Sequence, residues 1–292
     1  RTKANTIIVF GFQAGMISGM AIGSLLVGQI APAGVFMLGF LTAAVVVAYS
    51  LLVRPAGAGG AGPSGTQVSA GEIWREIGAM MRDAKFRRSI LLIGIPAKAV
   101  LTGVVLFAMP LILFARGYAQ EDIGQITMIY AVSVILSSIW AARIADTNSN
   151  TVVILSWGAI LTAMGLVTIA ACGWSPVASQ PLPQTLTTLL IVVGICMIGL
   201  AHGLINAPVV THVMQTEVAA RSGSSQVGAA YRFMERAGHT LGPIIMGQLF
   251  VQAGVSYVAF AWVALVILAL GILFVIGSRN EQSQSSTRPE YA

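Results

Sequence analysis

Long apolar runs, separated by short polar breaks, occupy most of this chain. Most of these runs are near or above the roughly 20 residues that an α-helix needs to cross a bilayer. They are continuously apolar rather than alternating, which indicates helices and not the strands of a membrane barrel. The pattern therefore predicts an all-α polytopic membrane protein with eight transmembrane helices, at residues 6–30, 35–53, 90–114, 123–145, 152–174, 186–212, 227–251 and 255–276.

One helical pattern occurs twice, near the start and near the end of the chain. The three glycines of the first copy, Gly19, Gly23 and Gly28, have the spacing of Gly238, Gly242 and Gly247, and a glutamine follows the last glycine in both copies. A short uncharged turn and a second apolar helix follow each copy. Four further apolar segments lie between the two pairs, so the repeating unit is six helices long. We therefore expect two six-helix halves, with the first four helices missing from this chain.

Composition and charge agree with a membrane location. Apolar residues make up 56% of the chain and charged residues 9%, whereas soluble proteins carry about a quarter charged residues. With the first helix running outward, Arg116 is the only basic residue in an outer loop, and this bias places the longest loop and the C-terminus in the cytoplasm. We expect a multi-pass protein of the cell membrane, plasma or inner. The net charge of +6 then matches anionic lipid headgroups and not nucleic acid.

The predicted helices divide the chain into four parts. Residues 1–53 hold the last two helices of the N-terminal bundle, 54–89 a cytoplasmic loop between bundles, 90–277 a six-helix C-terminal bundle and 278–292 a cytoplasmic tail. Within the loop, residues 55–65 have the composition of a flexible linker. Ser69 and Glu72 match a capping box, and the apolar residues behind them recur at helical spacing. This predicts an amphipathic helix on the cytoplasmic membrane surface.

This arrangement resembles the major facilitator superfamily of secondary transporters. The similar features are the six-plus-six repeat, the long cytoplasmic loop between halves and the glycine-rich fifth helix repeated as the eleventh. The stretch from Ala141 to Asp146 looks like a weak second-half copy of the family's cytoplasmic-loop signature. The resemblance gives Arg143 and Asp146 a gating role, and the charges themselves predict an inner-side charge network. The first glycine strip resembles the family's antiporter motif, with Ser24 at the motif's proline position and the proline in the second copy, as Pro243.

Glycines four or five residues apart on one helix face allow neighbouring backbones to approach closely. In a fold of this type such strips resemble the contacts between halves that open and close during alternating access, and static helix packing is the open alternative. The candidate gating or packing positions are Gly15, Gly19, Gly23, Gly28, Gly238, Gly242, Pro243 and Gly247.

Lys98 is the most prominent single candidate for a functional residue, because it is a charged side chain within an apolar helix. Its position nine residues after Ser89 corresponds to a depth of about 14 Å, near the middle of a hydrocarbon core about 30 Å thick. A charge at that depth is costly unless it faces a wet cavity or a partner. One interpretation is that Lys98 binds an anionic group or titrates during transport. The other is a structural ion pair, with a missing helix or with Glu235.

A second polar group interrupts the seventh predicted helix. Glu235 lies three residues after Arg232 and four before His239, so these side chains share a helix face and can pair. With Arg236 they form either a proton-coupling site or a charge cluster at the cytoplasmic rim. In the sixth helix His202 and Asn206 are four residues apart and can line one cavity face, with interhelical hydrogen bonding as the default role. Tyr130 is one of few aromatic residues at cavity depth.

The sequence gives no support for an enzyme. It has no phosphate-binding Gly-Lys-Ser/Thr loop, no catalytic triad pattern and no metal-ligand spacing, so we expect no cofactor. The favoured function is secondary active transport of a small solute by alternating access, with proton-coupled efflux, or antiport, as the candidate form. Lys98 and the basic rim favour an anionic or zwitterionic solute, and the aromatic residues at cavity depth leave a drug-like hydrophobic cation as the alternative. Expected partners are lipid, a small-molecule substrate, protons and the missing N-terminal helices. The alternative is a membrane module of a larger sensory receptor that transports nothing.

Overall fold

The computed structural model describes residues 2–52, 70–147, 151–174 and 182–286, and every regular element in these ranges is helical. The prediction of an all-α polytopic fold is confirmed. The helices are α1 (Thr2–Leu52), α2 (Ala70–Arg82), α3 (Ala84–Ala115), α4 (Gln120–Thr147), α5 (Thr151–Ala170), α6 (Gln184–Met214), α7 (Glu217–Ser222), α8 (Ser224–Ala253) and α9 (Val258–Ser286).

Six stretches of the described chain are long and apolar enough to cross a membrane. They are Leu26–Leu52, Ala84–Ala115, Gln120–Ala141, Thr151–Gly173, Gln184–Met214 and Val258–Asn280. The predicted number of eight is therefore not confirmed. Helix α8 covers the seventh predicted span, but charged side chains in its first half and polar ones in its second half keep it outside this set.

Helix α1 is interrupted at the predicted turn between the first two spans. Ala31 has φ 57° and ψ 164°, which is not helical, and Pro32 follows it. A Cβ placed on Gly23 would lie 3.9 Å from Val35 Cγ1. Twelve residues of straight helix would separate these positions by about 18 Å, so the chain turns back on itself at Ala31.

Helix α3 has unusually wide turns on the N-terminal side of both its prolines. Two π-helical segments, Ser89–Gly94 and Val100–Ala108, each end two residues before a proline, Pro96 or Pro110. Proline lacks the N–H that an α-helix needs and its ring crowds the preceding turn. A wider turn accommodates this loss, and such turns are frequent at functional sites. The short α-helical segment Ile95–Ala99 between them carries Lys98.

The buried core lies among α3, α4, α5, α6, α8 and α9. Close contacts at glycines bring three of these helices together. A Cβ on Gly199 would lie 2.7 Å from Ser133 Cβ of α4, and one on Gly165 would lie 2.7 Å from Gly194 O of α6. The resulting α4–α6 and α5–α6 contacts hold α6 at the centre of this bundle.

The predicted amphipathic helix corresponds to α2, but its apolar face packs on protein. Ile77 and Met80 are buried against the bundle, so they are not available to lipid. The ring of Trp74 meets that of Phe233 of α8 edge-on, 6.1 Å between centroids. Neither the predicted linker at 55–65 nor Ser69 of the capping box lies within the described residues. The backbone of residues 143 and 146 belongs to α4, whereas the predicted network of Arg143 and Asp146 side chains lies outside what the structure describes.

Candidate functional site

Three polar side chains from three helices meet inside the bundle. Lys98 of α3 donates a hydrogen bond from Nζ to Asn206 Oδ1 of α6, at 3.0 Å. The same Nζ lies 3.9 Å from Glu235 Oε2 of α8. We call Lys98, Asn206 and Glu235 the polar cluster. It joins three helices that are far apart in the sequence, through one cation, one amide and one carboxylate.

The polar cluster is well separated from bulk water. The side chains of Lys98 and Glu235 keep only 17% and 10% of their accessible surface, and apolar residues such as Ile93 and Val100 of the same helix are buried. Lys98 also lies near the middle of Ala84–Ala115. An isolated charge at such a position is strongly unfavourable, which explains why the ammonium is directed at a carbonyl oxygen and a carboxylate rather than at lipid.

Close backbone contact between α3 and α8 sets the distance between Lys98 and Glu235. A Cβ on Gly238 would collide with Ile95 O of α3 and would lie 2.8 Å from Lys98 Cβ. One turn later, Gly103 and Gly242 face each other so closely that neither leaves room for a Cβ. Residue numbers rise together along both helices, so α3 and α8 run parallel.

Thr102 adds a polar link to this contact. Its Oγ1 lies 3.0 Å from the carbonyl oxygens of Lys98 and His239 and can donate to one of them at a time. His239 therefore takes part through its backbone, and its side chain is half-buried. Among the described residues the ion pair of Glu235 is with Lys98 and not with His239, so the pairing predicted along one face of α8 is replaced by a pairing across helices.

His202 and Tyr130 form a second polar pair, one helical turn from Asn206. Tyr130 Oη and His202 Nδ1 are 2.9 Å apart, both residues are buried, and the rings meet edge-on. His202 Nε2 is also buried, and no described residue forms a hydrogen bond with it. The Lys98 charge acts electrostatically on His202, so this pair belongs to the electrostatic environment of the polar cluster.

The remaining charges near the cluster are mainly positive. Arg232 and Arg236 are exposed on α8, and both act electrostatically on Lys98, as does Glu235. Among the described residues, Lys98 therefore interacts electrostatically with two further cations and one carboxylate. This excess of positive charge favours an anionic group at the site.

The predicted glycine strips have different surroundings. Gly238 and Gly242 lie in the close α3–α8 contact, and Pro243 beside them is half-buried. A Cβ on Gly15, Gly19, Gly28 or Gly247 would meet nothing described within 4 Å, and Gly23 approaches only Val35. Close contact thus characterises part of the second strip, while the role of the first strip stays a prediction.

Thr102 and Gly103 were not predicted from the sequence as site residues. Thr102 contacts the carbonyl oxygen of His239, and Gly103 contacts the backbone of Gly242, both in α8. Neither threonine nor glycine is unusual in a transmembrane helix. The spacing of Gly103 four residues after Ala99 is the one signal that could have been found, because small residues four apart favour close helix packing.

Within the described residues, no group of three or more His, Cys, Asp or Glu side chains is placed to hold a metal ion. The family model described as Major Facilitator Superfamily matches residues 1–231. A comparison with curated proteins found no match. The family match includes Lys98 and Asn206 and ends four residues before Glu235. It does not test whether four helices are missing before the first residue, which stays a prediction.

Proposed function

The chain belongs to the major facilitator superfamily, and we propose that it is a secondary active transporter that moves a small solute by alternating access. The family consists of membrane transporters rather than enzymes, and the six long apolar helices fit a multi-pass membrane protein. No observation on the described residues favours the receptor alternative.

The observation that carries the proposal is the polar cluster, whose Lys98 lies near the middle of the long apolar helix α3. A transporter needs a polar binding site near the bilayer midplane that each side of the membrane can reach in turn. Lys98, Asn206 and Glu235 supply a cation, an amide and a carboxylate there. The π-helical turns that flank the Lys98 segment support a bend in α3 at this depth.

Proton-coupled efflux is the form of transport that we propose. Glu235 is a mostly buried carboxylate within reach of a cation, and intramembrane carboxylates serve as proton carriers in transporters. Protonation of Glu235 would remove its attraction for Lys98. A proton entering from outside and a solute leaving the cell would then use the same cluster at different times.

A flux assay on the full-length protein tests this proposal. Proteoliposomes would be loaded with radiolabelled organic acids, amino acids and sugars, and release would be followed with and without an inward proton gradient. We expect release above that of protein-free liposomes, loss of release in Lys98→Ala, and loss of the gradient dependence in Glu235→Gln.

Arg279→Ala is the matched control, because Arg279 is an exposed basic residue of α9 outside the cluster. It should keep wild-type flux. Wild-type flux in Lys98→Ala, or no flux of any solute class with the wild-type protein, would contradict the proposal.

A further inference from the structure

We propose that Lys98 binds the carboxylate of a small organic acid or zwitterion. When this solute is absent, the carboxylate of Glu235 takes its place as the ion-pair partner of Lys98. The inference rests on the proposed function and names the chemical class of its solute. In this scheme binding is an exchange of one carboxylate for another at a single ammonium group, with no covalent step.

The hydrogen bonds described at Lys98 leave donors of its ammonium group for such an exchange. An ammonium group has three hydrogen-bond donors. Among the described residues, the hydrogen-bond partner of Nζ is Asn206 Oδ1, at 3.0 Å. Glu235 Oε2, at 3.9 Å, is beyond hydrogen-bonding distance. Glu235 therefore balances the positive charge of Lys98 but accepts no hydrogen bond from it. The remaining N–H donors of the Lys98 ammonium can instead form hydrogen bonds with a solute carboxylate.

Further polar groups are available to form hydrogen bonds with the bound solute. Asn206 accepts from Lys98 through Oδ1, so its amide nitrogen retains two donors. One turn earlier on α6, the buried His202 Nε2 has no hydrogen-bond partner among the described residues. Such an unpaired buried atom is costly, and a polar ligand would remove that cost.

The local charge favours an anion over a cation. Lys98 and the described groups that act on it electrostatically, Arg232, Arg236 and Glu235, carry three positive charges and one negative charge. Exchange of Glu235 for a solute carboxylate at Lys98 keeps the ammonium neutralised. A cationic solute would instead have to compete with Lys98 for Glu235 under repulsion from both arginines.

The presence of an internal carboxylate leads to a testable prediction about the affinity for anionic solutes. Because Glu235 is held on α8 beside Lys98, it competes with solute as a tethered ligand at high effective concentration. Its removal should therefore strengthen anion binding, whereas removal of Lys98 should abolish it. A purely structural ion pair would not give these opposite effects.

The experiment measures binding to the full-length protein in nanodiscs, by isothermal titration calorimetry. The probes are two matched pairs, benzoate with benzamide and lactate with lactamide, which differ mainly in charge. We expect the carboxylates to bind and the amides not to bind. Affinity for the carboxylates should rise about tenfold in Glu235→Gln, the low end of what close charge pairs contribute, and should disappear in Lys98→Met.

Lys98→Arg, which keeps the charge, should retain carboxylate binding and shows whether loss in Lys98→Met reflects charge or folding. Unchanged or weaker carboxylate binding in Glu235→Gln, or equal binding of carboxylate and amide, would overturn the inference. Flux of the same probes separates this outcome from failure of the proposed function. Transport without charge preference would contradict only the inference, and carboxylate binding without any flux would contradict only the transporter proposal.

Discussion

The hydrogen bond between Tyr130 and His202 shows how one residue is satisfied in this bundle by another far away in the sequence. Both residues are candidates from the sequence alone, but their pairing is not, because the pairing depends on the rotation of α4 against α6. Lys98 was easier to identify, since a charge inside an apolar run is costly wherever its partner lies. Thr102 gave no such signal, because a threonine can satisfy its hydroxyl on its own helix.

Removal of the Tyr130 hydroxyl should destabilise the protein. In Tyr130→Phe, His202 Nδ1 loses its partner within the buried interior, and we expect the free energy of unfolding to fall by about 1 kcal/mol. Thermal unfolding of the purified protein in detergent measures this as a lower midpoint.

Tyr257→Phe is the matched control, because Tyr257 is buried and no described residue forms a hydrogen bond with its hydroxyl. Its ring contact with Arg116, 4.6 Å from the guanidinium carbon to the ring centroid, would remain in phenylalanine. Equal midpoints for the two variants would show that the Tyr130–His202 hydrogen bond adds nothing to stability.

Among the helices, α3 and α8 form the contact that determines the site. Their backbones approach at Gly238, Gly242 and Gly103, and this approach places Lys98 beside Glu235. Sequence analysis predicted the glycines of α8 from the repeat. The spacing did not show that Gly247 of the same strip has no described neighbour within 4 Å of its Cβ position. Spacing alone does not tell how far along a helix the contact with a partner helix continues.

A methyl group at Gly242 should therefore disrupt packing, while one at Gly247 should not. Gly242→Ala would place its Cβ against Ala99 O and Gly103 N, and overpacking of this kind costs about 2 kcal/mol. A Cβ at Gly247 would meet nothing described within 4 Å, and alanine there favours the helix by up to about 1 kcal/mol.

The measurement is again thermal unfolding in detergent, with binding of benzoate as a second readout of cluster geometry. Gly242→Ala should lower the midpoint and weaken binding, whereas Gly247→Ala should leave binding unchanged and keep or slightly raise the midpoint. Similar loss in both variants would mean that the α3–α8 contact is not as close as described.

At the scale of the whole molecule, the hydrophobic pattern was sufficient for the fold class and the glycine-bearing repeat for the family resemblance, but the pattern was not sufficient for the number of spans. Long apolar helices are predictable because each must bury its own backbone hydrogen bonds in lipid. Helix α8 is harder, because Glu235 in its charged half is paired with Lys98 of another helix, and the composition of α8 does not show this partner. The break at Ala31 falls in the short turn that was predicted between the first two spans, whereas the burial of α2 on the bundle depends on partners in α8.

The distribution of basic residues predicts the orientation of the molecule in the membrane. With Cys172 and Cys196 replaced by alanine, a single cysteine would be introduced at Arg116 or at Arg279, both of which are exposed. In intact cells a membrane-impermeant maleimide should label Arg116→Cys. Arg279→Cys should react only after the cells are permeabilised. The reverse pattern would place the C-terminus outside.

The parallel α3–α8 contact limits the insertions and deletions that this chain can tolerate during evolution. Backbone-to-backbone contact at Gly238 and Gly242 leaves little tolerance for a change in rotational phase, since one added or deleted residue turns the rest of a helix by about 100°. An insertion between Glu235 and Gly242 would point either the carboxylate or the glycine face away from α3. In this segment, insertions and deletions should therefore be tolerated less well than substitutions.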